Sequence, residues 1–136
     1  MKQILAACLV AILVSSCAAL STLSNIIPSF WDDNQSSRIV DMYIKATNLN
    51  CAKPHLPQVK SMKNDLQWLE LYSKSKGWLQ RDVIKLIVPM QKTVLDFYTR
   101  SSGENQGSVA YCEIKKKLLV KQSRDVAKSI LRRYDF

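Results

Sequence analysis

Apolar residues recur at helical spacing in four stretches of this chain, and short segments rich in proline, glycine or small polar residues separate them. Asp32-Asp33-Asn34 offers N-cap groups and negative charge where a helix start favours both. Ile39, Val40, Tyr43, Ile44 and Leu49 follow, which predicts a helix over about 34–49. Pro54 and Pro57 break it, and Pro57 suits the first turn of a second helix with the stripe Val59, Met62, Leu66, Leu69 and Tyr72, Trp68 beside it, and Gly77 as its C-terminal cap. A third helix is predicted over about 79–101 on Val83, Ile84, Ile87, Val88, Val94, Leu95 and Tyr98, with Phe97 adjacent and a kink expected at Pro89. After the polar loop 101–108, Cys112, Leu119, Val126, Ile130 and Leu131 mark a fourth helix over about 109–133. No strand alternation, internal repeat or second domain is visible. The expectation is an all-α fold, an antiparallel up-down bundle of about four helices.

The N-terminus sets the address. Met1-Lys2-Gln3 precedes a wholly apolar run from Ile4 to Val14, far short of the about 20 residues a bilayer requires and the right size for a signal peptide. Leu13-Val14-Ser15-Ser16-Cys17 resembles a bacterial lipobox. The resemblance implies a signal peptide over 1–16, a diacylglycerol thioether on the Cys17 thiol, cleavage before that cysteine and acylation of the new amine. Ala18 in the following position implies sorting to the outer membrane. Residues 17–33 then form a lipidated N-terminus and tether, and 34–136 the bundle domain. No other cofactor is expected. A single acyl chain holds a protein reversibly, whereas two or three make the attachment lasting. Ile26, Ile27, Phe30 and Trp31 of the tether either dip into the membrane interface or pack on the domain.

Export makes the cysteines informative. Cys8 leaves with the signal and Cys17 carries lipid, so Cys51 and Cys112 remain as an even pair in an oxidising compartment, the pattern of a disulfide. The bond would close a loop of about 60 residues, for which the chain-entropy model gives roughly 4 kcal/mol. In an up-down bundle the end of helix one and the start of helix four share one end of the molecule, so this pairing and that topology support each other. The formal charge of +9 loses only Lys2 with the signal. In an envelope protein such an excess favours anionic lipid, murein or an acidic partner over nucleic acid.

A search for chemistry returns no catalytic constellation. His55 is the only histidine and is expected in a turn between prolines, so no metal site is expected. Asp65 with Glu70, or Glu104 with Glu113, are conceivable carboxylate pairs for a cell-wall hydrolase, but the five-residue spacing of the first pair faces poorly on a helix. Two binding surfaces stand out. Lys115, Lys116, Lys117, Lys121, Arg124 and Lys128 form a basic face on helix four, and Trp68, Tyr72 and Trp78 form an aromatic contact.

Three stretches, Ile27-Pro28-Ser29-Phe30-Trp31-Asp32-Asp33-Asn34-Gln35-Ser36, Tyr72-Ser73-Lys74-Ser75-Lys76-Gly77-Trp78 and Tyr111-Cys112-Glu113-Ile114-Lys115-Lys116-Lys117, look like phage-encoded lipoproteins. Among these, the outer spanin subunits sit in the outer membrane and pair with an inner-membrane partner during lysis; this chain departs from their short, proline-rich pattern. In architecture the chain also resembles the pilotins, small disulfide-bonded helical lipoproteins that carry secretin subunits to the outer membrane. Both resemblances imply a non-enzymatic, periplasm-facing module that binds outer-membrane lipid and an envelope protein. The expected role is lysis or envelope modification, with secretion adaptor as the alternative and cell-wall hydrolase as the least favoured reading.

Overall fold

The computed structural model describes residues 32–103 and 107–131. Among them are α1 (Asp33–Thr47), α2 (His55–Ser75), a 3-10 turn (Trp78–Gln80), α3 (Arg81–Ser101) and α4 (Val109–Leu131). The lipobox, Cys17, Ala18 and the apolar tether residues lie outside the described residues, as do Glu104, Arg132 and Arg133. The helices pack in a ring, α1 on α2, α2 on α3, α3 on α4 and α4 back on α1, as an antiparallel up-down bundle.

Local chemistry places the helix ends. The Asp32 carboxylate accepts from the Asn34 and Gln35 amides at 3.0 and 3.2 Å and starts α1. Gln58 then ties the loop before α2. It accepts from the Asn50 amide at 2.9 Å and donates to the Asn50 and Pro54 carbonyls at 3.0 Å each. Gly77 turns the chain out of α2 at φ +81°, a region L side chains avoid. Gly107, at φ +72°, precedes α4, and a Cβ there would come within 3.3 Å of the Tyr111 ring. α3 runs through Pro89 as one helix; Thr93 Oγ1 donates to the Pro89 carbonyl at 3.1 Å.

The core follows one rule in all four helices. Buried positions advance by alternating steps of four and three: Gln35, Ile39, Met42, Ala46 and Leu49 on α1 and just beyond it, His55, Val59, Met62, Leu66, Leu69 and Ser73 on α2, Val83, Ile87, Met90, Val94, Phe97 and Ser101 on α3. On α4 the series is Cys112, Lys116, Leu119, Ser123, Val126 and Ile130, with Lys116 half-buried. This is the seam spacing of coiled-coil-like packing, in which side chains of one helix fill holes on the next. It corrects part of the predicted stripes. Val40 and Ile44 on α1 are 39% and 48% exposed, and Val88 and Leu95 on α3 are 51% and 55% exposed, because each sits one or two positions off the seam. Phe97, read as adjacent to the stripe, is fully buried within it.

The Cys51–Cys112 disulfide closes the end of the bundle where α1 finishes and α4 begins, with Cα atoms 5.6 Å apart. His55 is not in a turn: it is the first residue of α2, buried, with Nε2 3.1 Å from the Cys51 carbonyl oxygen and its ring tilted against Phe97 at 5.8 Å. A carbonyl only accepts, so Nε2 carries the proton.

Candidate functional site

Several acidic residues hold helices together. Asp65, buried on α2, receives Arg38 at 2.8 Å and Lys45, both from α1. Lys45 also donates to Ser61 at 2.9 Å. Glu70 faces elsewhere, accepting from Gln91 of α3 at 2.7 Å and from Lys74. The two carboxylates therefore serve different seams and do not meet as a catalytic pair. Lys74, then Gln91, hold the Glu70 carboxyl below its ordinary range by hydrogen bonding its ionised form. Glu113 lies on the outer flank of α4. Among the described residues no cluster of His, Cys, Asp and Glu could hold a metal ion.

The aromatic group divides. Trp68 and Tyr72 stack at 4.6 Å, while Trp78 stands on the 3-10 turn, 41% exposed and without ring contact to either. Tyr72 donates to Asp32 at 2.9 Å, and the Arg38 guanidinium lies 4.8 Å over Trp68, so the stacked pair fastens the start of α1 to α2. Burial alone would raise the Asp32 carboxyl, but hydrogen bonds from the Gln35 amide and Tyr72, with the charge of Lys76, bring it below its usual value.

The basic face divides as well. Lys115 turns to α3, where it bonds Asp96 beside the Tyr111 hydroxyl, itself 3.1 Å from the same carboxylate. The Lys115 and then the Tyr111 hydrogen bonds hold the Asp96 carboxyl below its ordinary range. Lys116 reaches back to the Leu49 carbonyl at 2.7 Å and secures the chain leaving α1. Lys117, Lys121, Arg124 and Lys128 remain exposed on the outer flank of α4 toward α1, without an ion-pair partner among the described residues. With Lys116, Val120 and Glu113, three of them line a groove of about 410 Å³. Arg124 lies 5.9 Å over the ring of Tyr43 on α1, which places that helix alongside.

A second groove, of about 390 Å³, runs between α2 and α3. Its walls are mainly apolar, from Leu66, Val88, Val94 and Leu95, with Lys63 and Lys92 among its polar residues. Comparison of the chain with protein-family models, with curated proteins and with solved structures finds no match. The site must therefore be read from its own chemistry.

In ring order the α2–α3 groove and the outer flank of α4 beside α1 lie on opposite sides of the bundle, one apolar and one cationic. Sequence reading found the cations of the second and missed the first. Val88 and Leu95 are separated by two helical turns and look like core residues. Only the four-three seam, which passes through Ile87 and Val94, shows that they point outward. No described helix is long and apolar enough to cross a membrane.

Proposed function

We propose that this chain is a lipid-anchored outer-membrane protein whose helical bundle faces the periplasm and acts without catalysis, by binding an envelope protein. The observation that carries the binding reading is the open α2–α3 groove, where Val88 and Leu95 are more than half exposed beside Leu66. Leaving such apolar surface in water is unfavourable, and apolar side chains gathered along an open groove support a binding role for it. Glu70 also lines the groove but is engaged by Lys74 and Gln91, so Lys63 and Lys92 favour a partner segment with an apolar stripe and acidic flanks. The lipobox-like Leu13-Val14-Ser15-Ser16-Cys17 supports the anchor. The resemblance to phage-encoded lipoproteins supports a role in lysis or envelope modification.

The disulfide-closed bundle with an apolar groove also favours a second reading, a secretion adaptor of pilotin type. One experiment addresses both. A photo-crosslinking residue replaces Val88 in the processed lipoprotein in envelope membranes, with the same residue at exposed Asp41 of α1 as control. One protein trapped from Val88 and not from Asp41 is the expected result. An inner-membrane lysis component assigns the first reading and a secretin subunit the second. Equal trapping at both positions refutes the groove. Cys17→Ser tests the anchor separately: loss of membrane retention is expected, and normal processing with retention overturns it. Clearing of purified murein by the protein overturns the non-catalytic assignment.

A further inference from the structure

The α1–α4 flank is a different surface from the groove assigned to the protein partner, and its chemistry is different. Arg38 and Lys45 point to Asp65 on α2, so the side of α1 that carries Val40, Tyr43 and Ile44 faces the other way, toward α4 and solvent. Val40 and Ile44 are one turn apart and 39% and 48% exposed. Beside them the exposed edge of α4 presents Lys117, Lys121, Arg124 and Lys128 at successive turns. Apolar side chains bordered by a row of cations are what an interfacial surface requires: the apolar groups enter the headgroup boundary and the cations meet lipid phosphates.

We propose that the bundle lies with its α1–α4 flank against an anionic membrane surface and so turns the α2–α3 groove away from the lipid. The compartment of this membrane rests on the envelope reading above. Three observations favour lipid over an acidic protein. The cations follow a straight helix edge and do not converge on a built site. Among the described residues, Glu113 is the only acid on the groove that Lys117, Lys121 and Arg124 line. Residues 17–31 lead directly into α1, so an anchor at Cys17 would join the bundle to the bilayer through this helix.

The test uses the processed chain, residues 17–136, with Cys17→Ser, so that no acyl chain contributes and failure of the anchor reading leaves the measurement intact. Co-sedimentation is measured with vesicles of phosphatidylglycerol and phosphatidylcholine and with vesicles of phosphatidylcholine alone. Binding to the anionic vesicles and not to the neutral ones is expected, with loss at roughly 0.5 M salt, where screening shortens the reach of charge to a few ångströms. Each cation near an anionic surface strengthens partitioning about fivefold. Lys117→Glu with Lys121→Glu should therefore weaken binding at least about 25-fold, and Lys60→Glu with Lys85→Glu, exposed on α2 and α3 and outside both grooves, should leave it unchanged. Far-ultraviolet circular dichroism and an intact disulfide establish that each variant is folded. Absence of binding to anionic vesicles overturns the proposal. Equal losses from the two charge reversals overturn it too, since they would report net charge and no particular flank. Binding of an acidic polypeptide through Lys117 and Lys121 without vesicle binding assigns the flank to a protein and overturns it as well.

Discussion

Breaking the Cys51–Cys112 bond should remove a large share of the stability of this domain. The cysteines are 61 residues apart in sequence, and a cross-link of that span restricts the unfolded chain by about 4 kcal/mol in the chain-entropy model. Both half-cystines are buried, Cys51 at 5% and Cys112 at 0% exposure. Replacing the pair by alanine therefore leaves small voids, adding about 1 kcal/mol. Reduction of the unmodified protein keeps both sulfur atoms in place and isolates the cross-link. Against a typical domain stability of about 5–15 kcal/mol, either change is severe. Urea unfolding followed by circular dichroism, on oxidised protein, reduced protein and the Cys51→Ala/Cys112→Ala variant, separates the contributions. The expected order of stability is oxidised, reduced, alanine, with about 4 kcal/mol between the first two and a fall in melting temperature of roughly 15–30 °C. The denaturant slope should rise in the reduced protein, because its unfolded chain expands further. A loss below about 1.5 kcal/mol would refute the reasoning. It would mean that the unfolded chain is already compact around these residues, so that the bond removes little freedom.

The seam register makes a sharp comparison between neighbours. Ile87→Ala should cost about 2–5 kcal/mol in urea unfolding and Val88→Ala less than about 0.5, since the first is fully buried and the second half exposed. Asp65→Asn leaves Arg38 and Lys45 facing an uncharged amide. A loss of about 1–3 kcal/mol is expected, below that of a fully buried pair because both cations retain about a third of their side-chain exposure. Asp96 has a lowered folded pKa, so its contribution is present above its ordinary value of 3.8 and is lost as pH falls through the lower folded value. Asp96→Asn should therefore cost under about 1 kcal/mol near pH 6, the carboxylate being largely exposed, and progressively less as pH falls below 3.8, a difference read by urea midpoints across that range.

Helix number, order and approximate ends were legible because proline, glycine and N-cap chemistry act locally. The pairing of Cys51 with Cys112 was legible because the expected signal and lipid site would claim Cys8 and Cys17 and leave only these two cysteines. Which face of each helix is buried was harder to read. Gln35, Ser73, Thr93, Ser101 and Ser123 are all buried, so hydropathy alone undercounts the core. Gln35 and Ser73 satisfy each other at 2.9 Å, and Ser123 donates to the Leu119 carbonyl at 2.7 Å, which is how a polar residue is tolerated there. Counting four-three steps through polar as well as apolar residues would have recovered the seam and exposed Val88 and Leu95. The roles of Lys115 and Lys116 were not legible, since their partners Asp96 and Leu49 lie on other parts of the chain.

The distribution of charge over the seams explains why two opposite flanks are left available. Between helices, Asp65 with Arg38 and Lys45, and Asp32 with Lys76, cross from α1 to α2; Asp96 with Lys115 crosses from α3 to α4. The acids facing these seams are thus committed to fixing which helix is whose neighbour. The other two seams rest mainly on apolar packing, with single polar ties such as Gln91 to Glu70 and Lys116 to the Leu49 carbonyl. On α4, few acids are left to neutralise the outer cations, so Lys117, Lys121, Arg124 and Lys128 carry charge outward on one side. On the other side Val88 and Leu95 carry apolar surface outward. A bundle with two unlike faces on opposite sides is suited to joining two unlike surfaces. Since packing, and not ion pairing, holds the seams beneath those faces, charge reversal at Lys117 and Lys121 should change what the protein binds while leaving its fold intact.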